Sequence, residues 1–119
     1  MNQGYLVIYC TCPNQEVAER IARVLVVEGL AACVNILPDI TSIYHWQGSL
    51  QCDPELLLII KTREDTYSAL ENRICELHPY TVPEIIALPI FQGYSDYLKW
   101  IDTSLANLIP FTHQGKQGE

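Results

Sequence analysis

The chain has 119 residues, 49% of them apolar and 18% charged, which fits one globular domain with a genuine core. Fourteen acidic residues against seven basic ones leave a formal net charge of −7, a balance that repels phosphate backbones and anionic lipid and argues against nucleic-acid or membrane partners. No apolar run approaches the roughly 20 residues that a spanning helix needs. The start, "MNQGYLVIYC", has no positively charged segment ahead of its apolar run, so no signal peptide is expected. The five cysteines are an odd number. Without a secretion signal they point to free thiols in a reducing cytoplasm rather than a disulfide framework.

The first predicted element is a strand over Tyr5 to Cys10, a continuous aromatic and β-branched run of the kind buried on both faces. Thr11-Cys12-Pro13 breaks it, and Asn14 is placed to cap a helix. Val17, Ile21 and Leu25 form that helix's apolar stripe, Ala18, Ala22 and Val26 widen it, and Gly29 is the stop residue. A second strand reads from Leu30 to Leu37, is bent or bulged by Pro38-Asp39, and resumes from Ile40 to Trp46. Gln47-Gly48-Ser49 turns the chain, and after Asp53-Pro54 a third strand covers Leu56 to Thr62. The second helix, capped by Thr62 or Asp65, carries Tyr67, Leu70, Ile74 and Leu77 at helical spacing and ends at His78-Pro79. Glu84 to Phe91 reads as a fourth strand with an edge or bulge at Pro89. Ser95 then caps a third helix with Leu98, Ile101, Leu105 and Leu108 on one face, and Pro110 stops it. The ordered core is expected over about 4–109, with a polar tail at 110–119.

The order β-α-β-β-α-β-α gives an α+β fold: a ferredoxin-like split β-α-β sandwich, its antiparallel sheet covered by two helices, with an extra C-terminal helix. The strands are apolar at successive positions, and successive side chains point to opposite faces. Two helices cover one face only. The other calls for a second copy of the chain, so a homo-oligomer built through its sheets is expected.

Candidate chemistry is sparse. Cys10 and Cys12 lie two apart, so an extended backbone points both thiols the same way. Thiolates favour soft metals such as Cu(I), and imidazole suits copper and zinc. His78 stands at a helix end, where a charged ring would also interact well with the helix dipole. Cys75 is three residues before it and Glu84 six after it. His45 reads as a surface or interface residue and His113 as part of the tail. Cys10 with His78 could imitate a thiol–imidazole catalytic pair, but no nucleophile signature surrounds Cys10. No phosphate-binding glycine loop and no His-Glu-x-x-His motif occurs. The chain is therefore not expected to be an enzyme.

"YCTCPN", "GLAACVNILP", "ITSIYHWQG", "LIIKT", "HPYTVPEIIALPI" and "GYSDYLKWI", six motifs in order within a match from about Leu6 to Leu105, together resemble the CutA family of divalent-cation tolerance proteins. The resemblance implies a cytoplasmic, PII-like homotrimer associated with tolerance to copper and other divalent cations. It makes Cys10 and His78 the metal ligands, with copper the expected ion. Leu77 stands where some members carry a second histidine. Cys12, Cys75 or Glu84 could substitute by their chemistry, though the family pattern does not require them. The resemblance to PII trimers, whose inter-subunit clefts hold regulators, adds an alternative: a small-molecule-sensing module.

Overall fold

A computed structural model describes residues 4–106. The elements run β1 (Tyr5–Cys12), α1 (Gln15–Val27), β2 (Cys33–Trp46), β3 (Ser49–Arg63), α2 (Tyr67–Leu77), β4 (Ile85–Pro89) and α3 (Ser95–Ala106). The sheet order is β2-β3-β1-β4, with every neighbouring pair antiparallel. This is the split β-α-β topology expected from the order of elements. Leu108, Pro110, His113 and the remaining tail lie outside the described residues.

Local chemistry sets several boundaries as read. The Asn14 side chain accepts the Val17 N–H at 2.9 Å and opens α1. Gly29, at φ 73°, closes it, with the Leu30 N–H reaching back to the Leu25 carbonyl at 2.9 Å. Asp39, at φ 63°, sits in the irregularity where the β2–β3 register shifts between Leu37 and Ile40. Gln47 and Gly48 both have positive φ and join Trp46 to Ser49 as a tight two-residue hairpin turn.

Six boundaries differ from the sequence reading, the first being β2, which begins at Cys33 and not at Leu30. β1 runs on through Thr11 and Cys12, because β3 continues to pair with it as far as Cys12 opposite Leu56. β3 begins at Ser49 and passes through Pro54. Beyond Leu56 it has lost its β1 neighbour, so a residue without an N–H is tolerated beside an open edge. Neither Thr62 nor Asp65 caps α2. The buried Thr62 hydroxyl donates to the Leu30 carbonyl at 2.8 Å, Asp65 pairs with Arg63, and a single 3-10 turn over Glu64–Thr66 leads into the helix. β4 is five residues long, pairing from Ile85 to Pro89 only. Ser95 lies inside α3, whose opening bond runs from the Leu98 N–H to the Tyr94 carbonyl.

The core lies between one sheet face and helices α1 and α2. Even-numbered side chains of β1 and β3 (Ile8, Cys10, Cys12, Leu56, Leu58 and Ile60) meet Ile21, Leu25, Leu70 and Ile74 there. On the opposite face, α3 covers one end, packing Leu98, Ile101 and Leu105 on Tyr5 and Ala32. Asp102 fastens it there, accepting from the Tyr5 hydroxyl at 2.8 Å and from Arg63 at 3.0 Å. The rest of that face carries Tyr9 opposite Ile59 and Ile86, with Leu37 opposite Leu57. Leu37, Ile86 and Leu88 remain 42–49% exposed. The β2–β3 hairpin runs on past the end of β1 as an arm, within overall extents of 46 × 32 × 23 Å.

Candidate metal centre

The end of β1 meets the end of α2. Because β1 stays extended through Cys12, Cys10 and Cys12 both face the helices and are fully buried. Pro79 holds His78 in extended backbone (φ −81°, ψ 137°), so the helix stops there after one last bond, His78 N–H to the Ile74 carbonyl at 2.8 Å. The Arg20 guanidinium donates to the Leu77 carbonyl at 3.2 Å and satisfies an acceptor that the helix end leaves free. His78 is thereby turned inward and is 7% exposed. Ligand atoms of Cys10, Cys12 and His78 all lie within 4.8 Å of one another.

Both nitrogens of the imidazole are engaged. Nε2 lies 2.8 Å from the Thr11 carbonyl oxygen, which can only accept, so Nε2 carries a proton. The Tyr80 N–H donates to Nδ1 at 3.2 Å. The two contacts together define the neutral Nε2–H tautomer. The Tyr80 ring leans on the imidazole with centroids 4.7 Å apart and a 53° tilt. The Tyr80 hydroxyl in turn donates to Glu55 Oε2 at 2.6 Å.

The two thiols divide their roles. The Cys10 thiol beside it, opposed by burial and helped by His78, holds the Cys12 thiol well below the ordinary thiol range. The same contact with Cys12, then burial and the neighbouring Glu84 and Cys75, pushes Cys10 far up. Ionisation therefore falls on Cys12 before Cys10, whose S–H lies 3.8 Å from the Thr11 carbonyl oxygen. For His78, burial works against the charged form, but the Cys12 contact and the Thr11 carbonyl outweigh it and raise its pKa.

This donor set fits a soft or borderline metal. Two sulfurs and an imidazole converge in a dry pocket, and thiolate with imidazole is the combination that copper and zinc take while magnesium and calcium decline it. Cys12 is the better prepared of the two thiols, since Cys10 would have to give up its proton to ligate as a thiolate. His78 can join only by giving up a hydrogen bond, because Nδ1 already accepts from Tyr80 and Nε2 faces Thr11 with its proton. Cys75 is exposed on α2, and Glu84 is exposed ahead of β4. Both lie near enough to act on Cys10 as charges, yet neither belongs to the cluster. His45 is exposed on the hairpin arm.

Two side chains that the sequence reading passed over shape the surroundings. Tyr80 was in view within "HPYTVPE", and Glu55 was visible as an acid heading the apolar run of β3. Glu55 is 5% exposed. Together they line a cleft of about 640 Å³ between the hairpin arm and the segment from Pro79 to Glu84, with Thr11 on its floor side. The cleft thus abuts the cluster through Thr11 and Tyr80.

Topology and site together define a ferredoxin-like α+β protein with a buried thiol–imidazole cluster at the end of its first strand. The family model described as "CutA1 divalent ion tolerance protein" matches residues 6–104, and the chain belongs to that family. It is 55% identical over 95 residues to the divalent-cation tolerance protein CutA of Thermus thermophilus, an alignment covering 80% of this chain and 92% of that one. It is 57% identical over 93 residues to the CutA homolog of Xenopus laevis, covering 78% of this chain and 62% of the longer relative. The solved structure of the Thermus thermophilus protein superposes with a TM-score of 0.80 at 54% identity, covering 82% of this chain and 94% of that one.

Proposed function

We propose that this chain is a cytoplasmic, homotrimeric metal-binding protein that serves divalent-cation tolerance by holding copper or a similar soft ion, without catalysing a reaction. The observation that carries this reading is the buried convergence of Cys10, Cys12 and His78 within 4.8 Å. Bound there, a metal would be held by the Cys12 thiolate and the Cys10 sulfur, with His78 recruited from its two hydrogen bonds. The cluster lacks a free base beside an accessible nucleophile, since both thiols are fully buried, which favours binding over thiol catalysis. The five free cysteines suit a reducing compartment. Among the described residues no helix is long and apolar enough to cross a membrane. The half-exposed apolar face of Leu37, Ile86 and Leu88 supports assembly with further copies of the chain.

Anaerobic titration of the reduced protein with Cu(I), Zn²⁺ and Mg²⁺, with the oligomeric state recorded throughout, tests the reading. Tight copper binding that Mg²⁺ does not displace is expected. Equal displacement by Mg²⁺ would count against it.

The cleft beside the cluster favours a second reading, a PII-like small-molecule-sensing module. Its size is that of a small-molecule site.

A further inference from the structure

The cleft carries chemistry that metal ligation does not use. On its wall stands the Glu55 carboxylate, 5% exposed. The Tyr80 hydroxyl occupies Oε2 at 2.6 Å, and among the described residues Oε1 has no hydrogen-bond partner. A buried carboxylate oxygen without a donor is costly, and a group that brings N–H donors and positive charge would satisfy it. Glu84 adds a second acid to the lining, and among the described residues no Lys, Arg or His lines the cleft. The remaining wall carries three aromatic rings, Tyr44, Trp46 and Tyr80, beside the apolar Ile43, Pro79 and Val82. Tyr44 is pinned by its hydroxyl to Asp53 at 2.6 Å.

The geometry points to a binding site in this cleft for a small organic ammonium ion with an apolar or aromatic body. The ammonium donates to the open oxygen of Glu55, and the body lies among the rings, whose faces attract cations. Two carboxylates and no counter-charge disfavour anionic ligands such as nucleotides. A hard divalent ion needs several converging oxygens, and the one group of three or more ligating side chains among the described residues is the Cys10–Cys12–His78 cluster. The proposal rests on the sensing reading and gives it a ligand class.

The test is calorimetric titration of the full chain with three probes of like size: phenethylamine, phenethyl alcohol and phenylacetate. Phenethylamine is expected to bind saturably, and the neutral and anionic probes roughly tenfold or more weakly. Glu55→Gln, which keeps an acceptor for Tyr80, is expected to lower phenethylamine affinity by roughly tenfold. Trp46→Leu should lower it several-fold through loss of a ring. Equal binding of the alcohol overturns the ammonium selectivity and leaves the sensing reading standing. No saturable binding of any probe overturns both. Unchanged affinity in Glu55→Gln also overturns the proposal. Thermal unfolding is recorded for each variant; if Glu55→Gln does not fold, Trp46→Leu decides, and unchanged affinity there overturns it.

Discussion

On the proposed metal-binding reading, Cys12 and His78 start from different states. The Cys12 thiol is held low by the Cys10 thiol beside it, whereas His78 has two hydrogen bonds and must release one. Replacing Cys12 with Ser should therefore weaken Cu(I) binding by roughly tenfold or more, the scale of losing a ligand. His78→Ala should cost less, because the energy gained from that ligand is already offset by the broken bond. Competition against a Cu(I) chelator measures both, and a larger loss in His78→Ala would overturn the ranking. Acidification should weaken binding, since protons compete for the thiolate. The sign follows from the depressed Cys12 pKa: the thiolate persists well below the ordinary thiol range and is lost as pH falls through a value of about 6. At this scale the sequence offered a good deal, because the i, i+2 spacing of the cysteines and the stop at His78-Pro79 were both visible. Hidden from it was the state of the imidazole, which depends on a carbonyl 67 positions away.

At the scale of elements, two ends can be tested separately. Asn14→Ala removes the side-chain acceptor at the start of α1, and a loss of about 1 kcal/mol in chemical denaturation is expected. Helix α3 is fastened through Asp102, whose carboxyl the Tyr5 hydroxyl, then Arg63, holds below the usual range. A group depressed in the folded state contributes stability above its unfolded pKa of about 3.9, and that contribution vanishes as pH falls through the lower folded value. Asp102→Asn should therefore lower the midpoint of thermal unfolding at neutral pH and flatten its decline in acid. An acid limb identical to that of the parent would show that Asp102 is not what holds α3. The side chains of Arg63 and Asp102 are both partly exposed, so the loss at neutral pH should be on the order of 1 kcal/mol. Strand and helix types were legible from periodicity and from turn residues such as Gly29 and Pro38-Asp39. Boundaries were less so. Pro54 stands inside β3, and Thr62 spends its hydroxyl on Leu30 rather than on a cap, because pairing across the sheet overrides the local preference.

The whole molecule leaves one sheet face unfinished. Helices α1 and α2 bury the even-numbered side of β1 and β3, while Tyr9, Ile59, Leu57 and Ile86 share the side that α3 covers at one end only. On the proposed assembly, Ile59→Glu places a charge in the interface and should convert the trimer to smaller species in sedimentation velocity. Circular dichroism should retain the helical signal. An unchanged sedimentation coefficient would remove this face from the interface. Composition and periodicity by themselves determined the class of fold, the order of elements and the surplus apolar face, while the family resemblance, not periodicity, nominated Cys10 and His78 as ligands. Tertiary structure alone decided that β1 stays extended long enough to carry Cys12 beside Cys10, that α2 ends against it, and that Glu55 is buried under Tyr80. The reason is physical: periodicity records which face a side chain occupies within its own element, while the approach of one element's end to another's is set by packing of residues far apart in the chain.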